Sequence, residues 1–252
     1  MQSDGKITAM KLLSKTTLPT EYISVNGTYG GNQGWFKDRP GGRRGKTLQG
    51  FGCGLIGAAD ILFYISGGKS MDASDNTVSK KKDKPGHNVT RDKYLDYVLG
   101  LEKKYFHILP KLGISGVLLA LGMNLFFLKN RREFGRFHAR WFVWPWNMLK
   151  RIKEMIGNGI PVLISVGPSI FTKDQLTFFE KKNSKIENEF VPRTHTKDHY
   201  VTITGVLEFE DRTMLEISSW GRKYYVNWDE YYNYVKKHDN FYFSNILYIR
   251  KK

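Results

Sequence analysis

Cys53 is the only cysteine in the chain, and it stands in Gly52-Cys53-Gly54. Residues 52–65 carry apolar or small side chains at Leu55, Ala58, Ala59, Leu62 and Ile65, the spacing of one helical face. The thiol therefore sits at a helix N-terminus. A free thiol has a pKa of about 8.5, and the dipole and unpaired N–H groups of a helix start lower it towards a reactive thiolate. Gly52 and Gly54 would leave room for a substrate carbonyl to approach closely. The competing fate of a lone cysteine is that of a small buried hydrophobe. One thiol can form neither an intrachain disulfide nor a multi-thiolate metal site, and no metal or cofactor is expected.

A nucleophilic thiol needs a base, and His199 is the histidine framed to act as one. It opens the branched run Tyr200-Val201-Thr202-Ile203-Thr204-Gly205, a strand start from which an imidazole can be aimed at a facing helix terminus. His87, His107, His138, His195 and His238 lie in polar stretches or near helix ends. The following strand ends in Ile217-Ser218-Ser219-Trp220-Gly221, where Ser218 could orient the imidazole while Trp220 shields that bond from water. Ser218 is a neutral acceptor. Glu216 is the alternative orienter, because strand alternation sets it on the same face, whereas Asp198 adjoins the histidine and aims elsewhere.

The segments Gly52-Cys53-Gly54-Leu55-Ile56-Gly57-Ala58-Ala59-Asp60, Asp198-His199-Tyr200-Val201-Thr202-Ile203-Thr204-Gly205 and Ser218-Ser219-Trp220-Gly221 resemble those of papain-like cysteine peptidases, in the same Cys, His, polar-residue order. The branch most similar is that of the bacterial double-glycine leader peptidases. The resemblance spans roughly residues 31–225, and it implies a thiol hydrolase that acts on peptide or other amide bonds through an acyl-enzyme. It departs from the family pattern at Ser218, where that family carries Asn or Asp. It also implies an oxyanion-hole glutamine upstream of the cysteine. Gln33, in Gly30-Gly31-Asn32-Gln33-Gly34-Trp35, is preferred to Gln49, which lies so close to the helix start that its side chain has little room to turn back. The same resemblance leaves open an acyl transferase using the same intermediate and a catalytically silent binding domain.

Positioning these groups falls to an α+β fold with a papain-like division: a mainly helical half over residues 1–158 carries the nucleophile helix, and a mainly antiparallel β half over 159–252 carries the base, with the cleft between them in a single domain over 1–252. Further helices are predicted over 90–106, 114–128, 146–156 and 228–235. Strands are predicted over 160–166, 199–209, 214–218, 224–227 and 241–249. Residues 67–93 read as a surface loop, and 39–46 and 169–194 as the rims of the cleft.

The formal net charge is +16. Such a balance attracts anionic partners, yet the charges are spread along the chain and no nucleic-acid-binding motif accompanies them, so a nucleic-acid partner is not expected. The apolar run 114–128 falls short of the roughly 20 residues a membrane span needs. No membrane partner is expected, and a cytoplasmic location follows. The oligomeric state is open.

Overall fold

The computed structural model describes residues 11–39, 42–68, 88–167, 174–182, 188–238 and 240–251. In chain order, short strands β1 (Leu12–Thr17), β2 (Ser24–Val25) and β3 (Thr28–Tyr29) precede a 3-10 turn, Gln33–Asp38, and helices α1 (Gly42–Phe51) and α2 (Cys53–Ile65). Then come β4 (Asn88–Val89), α3 (Arg91–Lys104), α4 (Gly116–Lys129), α5 (Arg131–Phe134), β5 (Phe137–Trp141) and α6 (Met148–Gly157). The remainder is β6 (Val162–Val166), β7 (Leu176–Lys181), β8 (Phe190–Thr196), β9 (His199–Phe209), β10 (Thr213–Ser219), β11 (Arg222–Asn227), α7 (Trp228–Lys237) and β12 (Ile246–Lys251).

The α+β class follows from this order. The main sheet runs β5-β12-β6-β9-β10-β11-β7-β8, with β1 also on β9, and its pairings are antiparallel. The central strand β9 is its longest and is buried along most of its length, which suits its β-branched composition. Helix α2 lies on this strand and on β6. A Cβ at Gly57 would come 2.2 Å from Leu163 Cδ1 and 3.2 Å from Thr202 Oγ1, so glycine is what lets helix and sheet approach. The hydrophobic core is continuous from α2 through β6 and β9 to α7.

Several boundaries differ from the sequence expectation. The sheet is not confined to the second half: β1 and β5 come from the first, and β1 is mostly exposed, so its sequence lacks an inward-facing apolar pattern. Residues 42–46, part of the rim expected over 39–46, are instead the first half of α1. The strand expected over 241–249 begins only at Ile246, because buried Asn245 clamps the preceding turn. Its Oδ1 accepts from the N–H of Val143 and Ile246, and its Nδ2 donates to the carbonyls of Val143 and Phe241. The expected rim 169–194 contains the antiparallel strands β7 and β8, with residues 169–173 and 183–187 outside the described residues. Most of the loop expected over 67–93 also lies outside them.

Candidate active site

Helices α1 and α2 meet at a bend of 80°. Gly52 is the joint, since a Cβ there would lie 2.3 Å from the Leu48 carbonyl oxygen. At Gly54 a Cβ would lie 2.9 Å from Ile114 Cγ2 and 3.1 Å from Tyr200 Cδ2. Both glycines therefore serve backbone packing, and neither lines the cavity beside Cys53; the expectation that they make room for substrate is corrected. The bend turns the start of α2, with its half-buried thiol, towards the first residues of β9. The small cavity at that meeting point is walled by Gln33, Cys53, Asp60, His199, Ser219 and Trp220. Its volume of about 20 Å³ admits one water.

His199 is buried, and its Nε2 is 2.8 Å from Ser219 Oγ. The expected orienter, Ser218, also lines the cavity, but its hydroxyl donates to the Tyr29 carbonyl at 2.8 Å and not to the imidazole. The register explains the exchange. Ser218 pairs with Thr202, so one residue further Ser219 stands opposite Val201, on the face His199 shares. Residues Trp220 and Gly221 form the two-residue turn between β10 and β11, both with positive φ, 51° and 74°. This turn geometry matches the twist of a hairpin but normally favours Asn or Gly at its first position. The strained tryptophan is thereby held flat against the imidazole, with ring centroids 4.5 Å apart and planes 15° from parallel.

Glu216 is also excluded as orienter. Its carboxylate accepts from Tyr29 Oη at 3.0 Å and Thr204 Oγ1 at 3.1 Å and pairs with Lys223 at 3.2 Å, lining a separate cavity of about 460 Å³. These placements predict distinct phenotypes. Ser219→Ala lowers turnover about tenfold, whereas Ser218→Ala and Glu216→Gln leave turnover intact and cost roughly 1–3 kcal/mol of stability through buried groups left unpaired. Turnover and urea midpoints of the three variants check this; a turnover loss confined to Ser218→Ala returns the role to that residue.

The thiolate expected from sequence is not the resting form. Burial pushes the Cys53 thiol above its ordinary value, against the opposing pull of the Tyr200, Gly54 and Cys53 N–H groups. Burial likewise lowers His199 to about 4, so its ring is neutral at physiological pH. Among the described residues no hydrogen bond joins Cys53 to His199, although both face the one cavity. With Nε2 engaged by Ser219, Nδ1 is the nitrogen left for the thiol. Active-site hydrogen bonds are often loose before substrate binds.

Gln33 opens the 3-10 turn and lines the cavity, and its Nε2 donates to the main-chain carbonyl of Gln49 at 2.9 Å. The two glutamines thus act together, Gln49 through a C-terminal carbonyl of α1 that has no partner inside the helix. One N–H of the Gln33 amide remains for an oxyanion. Behind this loop lies Asp60, seven residues after Cys53 on the same helix. Its carboxylate accepts from Tyr94 Oη, from Tyr22 Oη at 3.1 Å and from the Gly31 N–H at 3.1 Å. Asp60 was not singled out from sequence, though a lone acid in an otherwise apolar helix was a visible signal. Burial pushes its carboxyl up to about 6. No family model, curated protein or solved structure matches this chain.

Proposed function

We propose that this protein is a papain-like thiol hydrolase that cleaves peptide or other amide bonds. One observation carries the reading. A helix-start cysteine, a histidine bonded through one nitrogen and covered by an indole, and a glutamine amide with an N–H to spare converge on a single cavity. The Cys53 proton passes to His199 Nδ1 as sulfur attacks the carbonyl carbon. The oxyanion is received by the Cys53 N–H and the Gln33 amide. His199 then gives its proton to the leaving amine as the C–N bond breaks, leaving a thioester on Cys53. Water, deprotonated by His199, attacks that thioester, and the acid departs as the thiol recovers its proton.

The test is intact mass after treatment with a peptidyl epoxide, which requires a nucleophile activated beside bound substrate. A single adduct on Cys53, absent from Cys53→Ser, is expected. A wild-type protein that iodoacetamide alkylates but the epoxide does not would instead favour a silent binding domain. Gln33→Ala should cut turnover about a hundredfold and leave iodoacetamide alkylation unchanged, since the amide acts on the tetrahedral intermediate. Gln49→Ala keeps the carbonyl that orients Gln33 and should change turnover little; the reverse pattern in the two variants would overturn this division of roles.

A further inference from the structure

Helix α4 is apolar on two sides and buries only one. Leu119, Met123, Phe126 and Phe127 are in the core. Val117, Leu118, Leu121, Leu125 and Leu128 are 48, 43, 54, 41 and 64% exposed, and at about 100° per residue they fall within a single arc of roughly 100°. Leu112, in the turn before the helix, is 81% exposed. A second exposed apolar group lies near the N-terminal end of α4. There Gly116 lies against the Trp141 ring, and Trp141 Nε1 donates to the Tyr242 carbonyl. Around that contact stand Tyr242, Phe243 and the stacked pair Trp144 and Trp146, the last two 59 and 71% exposed. Apart from Leu12 and Leu13, every exposed large hydrophobic side chain among the described residues belongs to this helix, the turn before it or this aromatic group.

Charge is segregated along the same stretch of sequence. Between residues 103 and 153 there are eleven lysines and arginines and one acid, Glu133. Of those cations only Arg151 and Lys153 are in ion pairs among the described residues. Lys111, Lys129, Arg131 and Arg132 flank the two ends of the leucine stripe and are exposed.

An apolar strip of this kind is costly in water unless something covers it, and its unpaired cationic border selects an anionic cover. Leucines that enter an acyl boundary, indoles at headgroup depth and Lys or Arg against phosphates are the parts of an interfacial helix. We propose that α4 and the Trp144–Trp146 pair dock this protein on the surface of an anionic lipid bilayer. The sequence expectation of no membrane partner rested on the lack of a span. Among the described residues no single helix is long and apolar enough to cross a membrane, and surface docking needs none. The inference stands independently of the hydrolase reading.

The test is co-sedimentation with vesicles of phosphatidylcholine and phosphatidylglycerol in equal parts, against vesicles of phosphatidylcholine alone. Wild type should bind the anionic vesicles and bind the neutral ones far more weakly. The Leu121→Glu/Leu125→Glu variant, altered only at exposed positions, should lose about tenfold or more in partitioning while keeping its circular dichroism. Arg131→Gln/Arg132→Gln should lose about fivefold per charge removed, on anionic vesicles only. If the leucine variant fails to fold, Trp144→Ala/Trp146→Ala provides the same comparison. Absence of binding to anionic vesicles overturns the proposal. So does self-association that the leucine variant abolishes without any vesicle binding, which assigns the face to a second copy. Binding to single-stranded DNA that survives the leucine variant, again without vesicle binding, assigns the charge to nucleic acid and overturns it equally.

Discussion

His199→Ala should lower turnover of a peptide substrate by on the order of ten-thousandfold, yet leave the pH midpoint of Cys53 alkylation where it is in the wild type, above that of a free thiol. The two halves of this expectation come from different features. Turnover falls because, among the described residues, no other imidazole lines the cavity to carry the thiol proton to the leaving amine. The alkylation midpoint stays because burial, and no cationic partner, sets the resting thiol, while the imidazole beside it is neutral. The result is read from iodoacetamide rates across pH in both proteins, with peptide turnover measured alongside. An acidic wild-type midpoint that rises in the variant would mean that the resting pair is thiolate and imidazolium, and the neutral-pair description would fall.

The second large effect concerns stability. Asp60 titrates near 6 in the fold, against an ordinary value of 3.8. As pH rises from about 4 to 6 the unfolded chain therefore releases this proton while the fold retains it, and stability falls. His199 has the opposite sign. Its folded value near 4 lies below its ordinary 6.5, so over the same window the unfolded chain holds a proton that the fold lacks, and stability rises with pH. Each contribution is roughly 3 kcal/mol, and in the wild type they nearly cancel. Removing either exposes the other: Asp60→Asn should gain about 3 kcal/mol between pH 4 and 6.5, and His199→Ala should lose about 3 kcal/mol. Urea unfolding at the two ends of the window decides it. Parallel slopes in both variants would contradict the opposed burial of the two groups.

The parts of the site legible in the sequence are those written in periodicity. The apolar spacing of residues 52–65 gives α2 and the place of Cys53 on it, and the branched run after His199 gives β9. What stayed hidden depends on contacts between distant segments. The choice of Ser219 over Ser218 is set by register, and the β9–β10 ladder shifts between Glu216 and Ile217, which strict alternation cannot anticipate. The link between Gln33 and Gln49 runs through a main-chain carbonyl, so reasoning from side chains treats the two as rivals. Helix α1 carries Gly42, Gly45 and Gly50, which weaken its local propensity, and contacts with its neighbours support it, with Arg44 in an ion pair with Glu102. The bond from the Gly31 N–H to Asp60 joins helix α2 to the loop that carries Gln33, and no local pattern encodes it.

Because the partner of His199 is a hydroxyl, it can donate to Nε2 as readily as accept from it. A carboxylate in that place would hold the imidazole proton on Nε2 and keep Nδ1 open to the thiol. Ser219 allows both tautomers, and only the molecules with a free Nδ1 can take the Cys53 proton. The observed rate is then the intrinsic rate multiplied by the fraction in that state, and two equally populated tautomers reduce it only about twofold. A serine here sacrifices little in speed. What it gives up is a standing negative charge beside the imidazole, so in the proposed mechanism the site would pass through its charged state only while substrate is reacting and would return to a pair of uncharged groups between turnovers.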